Sequence, residues 1–217
     1  MNKILRLKKN FKNLQQQLLI IKILLVVKEN NEYEKQIKKL DFLNKESTDL
    51  MVTISDDNLK NFNYIDNNLF EMEQLLEDIK VEITDSIKVE QFVYLNNKSI
   101  EELQIFLEYF ISLKKETSIF TARNEIIEYG NHILNNFIDK IRKYLLDHNL
   151  VNLLPLLNQD ILVGALNIRV PLIDDWKVVY KIAKTIIKSI DTSYDIEILE
   201  NARLQFEYAY FLVIMEA

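Results

Sequence analysis

Apolar residues recur along the first part of the chain at alternating gaps of three and four. Ile4, Leu7, Phe11, Leu14, Leu18, Ile21 and Leu25 hold this spacing without a miss, which is the seam of a helix that packs lengthwise against a neighbour. After a polar break the stripe resumes in a shifted frame at Tyr33, Ile37 and Leu40, and the spacing predicts one helix continuing towards Ile54 with a local change of supercoil. About fifty residues at about 1.5 Å each reach roughly 75 Å, against roughly 45 Å for the diameter of a compact chain of this length. An elongated arm is therefore expected. The polar turn Ser55-Asp56-Asp57-Asn58 suits a helix start, and a second seam follows it at Phe62, Ile65, Leu69, Met72, Leu76, Ile79 and Ile83. Two matched seams joined by a short polar turn predict a long antiparallel coiled-coil hairpin over residues 1–95, with the seam residues as its assembly interface.

Residues 96–217 have broader apolar stripes and predict an α-helical bundle. Ser99-Ile100-Glu101-Glu102 has the spacing of a capping box, so a helix should start there, bury Leu103, Phe106, Leu107, Phe110 and Ile111, and end near Lys115 to Thr117. The next helix, marked by Ala122, Ile126, Ile133, Phe137, Ile141 and Leu145, tolerates Gly130 and should stop near Asn149. Pro155 and Pro171 bracket a short helix over Ile161 to Leu166, of which Leu162-Val163-Gly164 could also form a strand. Asp174-Asp175 caps a helix carrying Trp176, and Asp191-Thr192-Ser193 turns into the last one. That helix ends "YAYFLVIMEA", an apolar run with no polar cap, and its pattern calls for a covering partner or further sequence.

One stretch exceeds a single seam. Residues 17–28 read "QLLIIKILLVVK", too short and too interrupted by Lys22 to span a bilayer, and followed by "ENN" rather than the small residues of a cleavage site. Leu19, Ile20, Ile23, Leu24, Val26 and Val27 are surplus to the stripe, which leaves the helix apolar around much of its circumference and demands at least two neighbouring helices.

Composition agrees with an all-α chain. Two glycines and two prolines leave little material for hairpins or phosphate loops, and an absence of cysteine excludes disulfides and thiolate chemistry. A net charge of -6 opposes general nucleic-acid binding. The nearest approach to a basic surface is Lys3, Arg6, Lys8, Lys9 and Lys12, and the expected location is the cytoplasm. No catalytic motif is visible, no cofactor is implied and no enzyme is expected. Glu125, Glu128 and His132 share a helix face at metal-ligand spacing, but with no matching second cluster they read as a solvated face. His148 suits a helix C-terminus, where a positive charge meets the dipole. Trp176 reads as core, and Tyr208, Tyr210 and Phe211 as core or interface anchors.

The order of elements resembles the N-terminal part of helical-rod vesicle-tethering subunits, above all the lipid-binding subunit of the exocyst. The residues that carry the resemblance are Asn63-Tyr64-Ile65-Asp66-Asn67-Asn68-Leu69 in the second seam, Leu103-Gln104-Ile105-Phe106-Leu107, and the helix Ala122-Arg123-Asn124-Glu125-Ile126-Ile127-Glu128-Tyr129-Gly130 with Phe137 and Tyr144-Leu145-Leu146. Trp176-Lys177-Val178-Val179-Tyr180 after a proline-bearing linker is similar as well. The resemblance implies stacked helical bundles in an elongated rod, assembly with other helical subunits through coiled coils, vesicle tethering, and contact with a small GTPase. Peripheral membrane association is compatible with it, but the family's lipid-binding patch lies in a domain with no counterpart here. Two other readings are a membrane-acting, toxin-like helical bundle and a regulatory helical domain of SNARE type.

Overall fold

The structure is a computed structural model that describes residues 3–54, 61–83, 89–147, 149, 151, 204, 207–209, 211, 212 and 215. Among these residues every regular element is an α-helix and none is a strand: α1 (Lys3–Val27), α2 (Glu34–Met51), α3 (Phe62–Ile83), α4 (Val89–Asn96), α5 (Ile100–Glu116) and α6 (Ile119–Asp147). The all-α class therefore holds. The chain divides into two compact units, Met1–Ile119 and Phe120–Ala217.

The single helix expected to reach Ile54 is instead two helices, α1 and α2. Glu29 N–H donates to the Val26 carbonyl at 3.1 Å and Asn30 N–H to the Leu25 carbonyl at 2.9 Å, the paired closure of a Schellman end. Glu29 holds the left-handed position at φ 54, where glycine is usual; a residue with a Cβ pays about 1 kcal/mol for it. Its carboxylate offsets that cost. One oxygen accepts from both the Ser118 hydroxyl and the Ile119 N–H, each at 2.8 Å, where α6 begins. Lys114 donates to the Asn31 side chain at 3.0 Å, and the Asn30 side chain accepts from Glu32 N–H at 2.8 Å. The turn is thus held by residues more than eighty positions further along the chain.

This turn sends α2 back along α1. Lys22 donates to both carboxylate oxygens of Asp41, at 2.8 and 3.0 Å, and Gln15 to Asn44 at 3.1 Å, so later positions on α1 meet earlier ones on α2. α3 then runs antiparallel to α2. Lys39 pairs with Glu71, and the Asn68 amide donates to Glu46 at 3.1 Å. The helical hairpin of this unit is accordingly α2 with α3, while α1 packs on both.

α4 and α5 cover the rest of α1. Gln16 donates to the carbonyl oxygens of Asn96 and Lys98, both at 3.0 Å, in the turn between them. The Lys98 ammonium lies 4.8 Å from the ring centres of Tyr94 and Phe106 alike, so one cation ties the two helices together. Ser99 caps α5 as its spacing predicts: Glu102 N–H donates to the Ser99 hydroxyl at 3.1 Å and Ser99 N–H to the Glu102 carboxylate at 2.9 Å. From this level α5 runs parallel to α1 as far as the Glu29 turn.

In the second unit α6 ends close to the expected position, with Asn149 at φ 56 just beyond it. Asparagine tolerates that conformation better than most residues. Tyr208, Ala209, Phe211, Leu212 and Met215 are buried, so these described residues of the terminal apolar run are covered rather than bare as the sequence suggested. The turns at residues 55–58 and 191–193, His148, the segment with Pro155 and Pro171, the Asp174-Asp175 cap, Trp176 and Tyr210 lie outside the described residues.

Candidate interaction surface

The seam residues of both helices converge in the core of the first unit. Ile4, Leu7, Phe11, Leu14, Leu18, Ile21 and Leu25 of α1 are buried, as are Ile65, Leu69, Met72, Leu76, Ile79 and Ile83 of α3; Phe62 is half-buried at the start of α3. Their burial is supplied by this chain's own helices, because α1 packs on α2, α3, α4 and α5.

The surplus apolar residues of α1 find the neighbours they need. Ile20, Ile23 and Leu24 are buried, Ile23 and Leu24 completely, while Leu19, Val26 and Val27 are half-buried. Only the second half of the helix is enclosed in this way. α5 begins at the level of Gln16 and runs onward, so among the described residues no helix lies on that side of the stretch from Lys3 to Lys12.

A single stripe crosses this boundary. Leu5, Lys8, Lys9 and Lys12 are spaced i, i+3, i+4 and i+7, and Gln16, Leu19 and Ile23 continue the same face of α1. Level with α5 the stripe reads Gln16, Leu19 and Ile23, with Gln16 bonded to the turn that leads into α5; before that level, where no described helix covers it, it reads one leucine and three lysines. Leu5 is 58% exposed and the three lysines are exposed. Among the described residues no carboxylate forms an ion pair with Lys3, Arg6, Lys8, Lys9 or Lys12. Glu101, in the first turn of α5, feels the charge of Lys12. Its carboxyl is held below the ordinary range chiefly by its own backbone N–H and the Ser99 hydroxyl, with Lys12 a smaller contributor.

Beside the stripe a cleft of about 660 Å³ runs between α1 and α3, with Lys3, Arg6 and Lys9 on one wall and Asp66 and Glu73 on the other. Leu7 and Phe62 form its apolar part. A second cleft of about 350 Å³, sharing Asn13, continues past Ile20 and Ile21 to Phe92 and Val93. The first half of α1 is thus basic and open on one side, and grooved against α3 on another.

Glu125, Glu128 and His132 are exposed along α6. Among the described residues no group of three acidic or histidine side chains is placed to hold a metal ion, and no helix is long and apolar enough to cross a membrane. The sequence had singled out the five cations of α1 as its nearest approach to a basic surface. That their stripe is continuous with the α5 contact is visible only in the fold. No family model, curated protein or solved structure matches the chain.

Proposed function

We propose that the protein is a non-enzymatic helical assembly protein, and, on the resemblance carried by its second seam and its α5 and α6 segments, a subunit of an exocyst-like vesicle-tethering complex. The observation that carries the assembly reading is the pair of phenylalanines on the α2–α3 hairpin. The Lys39–Glu71 and Glu46–Asn68 contacts set the register of the hairpin so that Phe42 and Phe70 fall at one level, and each is 62% exposed. Aromatic side chains left in water at matched positions of a rigid pair are suited to anchor a partner helix. Val81 and Tyr64, also exposed on α3, extend the apolar content of this hairpin.

The reading includes an elongated rod, helical partner subunits and contact with a small GTPase, all of them implied by the resemblance. Assembly through the seam residues themselves would require the first unit to open, because those side chains are occupied within it. The exposed phenylalanines are therefore the better handle. Two measurements test the proposal. Small-angle scattering of the chain should give a radius of gyration well above the roughly 17 Å of a compact particle of this length; a value near that figure removes the rod. Double substitution Phe42→Ser/Phe70→Ser should leave the fold intact and reduce the native size of the complex recovered from source cells, and an unchanged complex removes the anchor.

A further inference from the structure

We infer that the uncovered stripe of α1, Leu5, Lys8, Lys9 and Lys12, docks an acidic helix of a partner protein laid end to end with α5. This deepens the assembly reading and rests on it. Three observations lead to it. The stripe leads into Gln16, which bonds the turn before α5, and α5 then packs along α1, so the geometry of a parallel helix against α1 is established a few residues further on. Its side chains change from amide and aliphatic to lysine at the level where α5 starts. The chain also uses the matching chemistry at that border, where the acidic first turn of α5 places Glu101 near Lys12.

The charge balance selects the sign of the occupant. The whole chain is negative by six, yet the first ten residues of α1 carry five cations, none of them in an ion pair among the described residues. A helix with glutamate or aspartate at i, i+3 and i+4 and a leucine or phenylalanine in the same stripe would neutralise Lys8, Lys9 and Lys12 and cover Leu5. A flat anionic bilayer or a nucleic-acid duplex fits less well. Either spreads its negative charge over an area wider than the stripe, with Asp66 and Glu73 in the adjacent cleft and Glu101 and Glu102 in the first turn of α5 close by. A helix can confine its charge to one narrow face. Leu5 alone on the stripe is also little apolar area for a bilayer to take up.

The test uses the full chain and a labelled peptide of about 20 residues, long enough to hold a helix, with glutamate and leucine at helical spacing and alanine elsewhere. The peptide should bind, weaken as salt rises, and lose at least about tenfold in affinity to Lys8→Glu/Lys9→Glu. Leu5→Glu should weaken it too, whereas Lys35→Glu/Lys45→Glu on α2 should not, and circular dichroism should show all variants folded. A peptide of the same composition with its glutamates scrambled should bind at least about tenfold less well. Equal binding of the two peptides, or equal binding by Lys8→Glu/Lys9→Glu and the parent, overturns the proposal. So does binding to phosphatidylserine vesicles or duplex DNA with none to the peptide, or a self-dimer that Lys8→Glu/Lys9→Glu breaks. Gel filtration of source-cell extract separates the two levels of failure. A complex that Lys8→Glu/Lys9→Glu joins as well as the parent removes this face alone, and a parent chain that elutes as a monomer removes the assembly reading.

Discussion

The two halves of α1 are one continuous helix built to two specifications. From Lys3 to Leu14 its buried residues are Ile4, Leu7, Phe11 and Leu14, a single stripe at gaps of three and four, and the rest of its circumference is polar apart from the exposed Leu5. From Gln15 to Val27 the buried set is Leu18, Ile20, Ile21, Ile23, Leu24 and Leu25, which spreads around more than half of the circumference. The same backbone therefore serves as a surface helix at one end and as a central strut at the other. What differs is the number of neighbours: α2 and α3 accompany the first half, and α4 and α5 join them around the second. An apolar stripe wider than one partner can cover is thus a statement about how many helices surround it, and where a stripe narrows a neighbour has ended.

The sharpest way to break this comparison is to place a charge on a leucine in each half. Leu24 is completely buried and Leu5 is 58% exposed. Leu24→Asp should cost several kcal/mol, because a carboxylate without a partner enters a site enclosed by helices, and should unfold the first unit. Leu5→Asp should change stability by less than about 0.5 kcal/mol. Urea denaturation followed by helical circular dichroism measures both. Similar losses for the two variants would show that the halves are equally enclosed. Leu18→Asp and Ile21→Asp belong with Leu24→Asp, since both side chains are buried within the chain, and they should act on folding before any assembly step.

A second contrast lies at the two boundaries of the enclosed half. At one, Ser99 caps α5 where it begins to cover α1; at the other, Glu29 ends α1 and caps the start of α6. Glu29→Ala removes the carboxylate and keeps the left-handed strain, so it should lose about 1 to 2 kcal/mol. Glu29→Gly also loses the carboxylate but relieves the strain, and should lose less. Ser99→Ala should cost about 1 kcal/mol through the capping box alone. Denaturation midpoints that rank glycine below alanine at position 29 would show that the backbone conformation carries no strain there.

These boundaries also mark what could be read from the residues. The Ser99 cap, the α3 seam and the end of α6 near Asn149 depend on signals a few positions apart, and all were legible. So was the need of residues 17–28 for more than one neighbour, because surplus leucine and isoleucine state it directly. The break between α1 and α2 was not legible. Its left-handed residue is a glutamate rather than a glycine, and the contacts that hold it come from Lys114, Ser118 and Ile119. Periodicity on both sides of the break is helical, so local pattern alone favours continuing. The basic stripe was half legible: its cations stand out in the sequence, but its exposure follows from where α5 starts.

The smallest expected effect compares two tyrosines on the α2–α3 hairpin, one at each end of the bundle. Tyr33 is buried beside the enclosed half, and its hydroxyl is made harder to ionise first by that burial and then by the Glu82 carboxylate that it bonds. Tyr64, half in water at the open end, is shifted the same way, but first by its hydrogen bond to Glu46 and only then by burial. Glu46→Gln should therefore return Tyr64 towards an ordinary phenol, whereas Glu82→Gln should leave a good part of the Tyr33 shift in place. For both groups the folded protein holds its proton more tightly than the unfolded chain does. Their contribution is then fully present below the ordinary tyrosine range near 10 and is lost as pH rises through the raised folded values. Ultraviolet titration of the phenolates in the parent and the two glutamine variants measures the shifts. If Glu82→Gln normalised Tyr33 as fully as Glu46→Gln normalised Tyr64, a carboxylate rather than enclosure would govern both, and the ends of the bundle would be electrostatically alike.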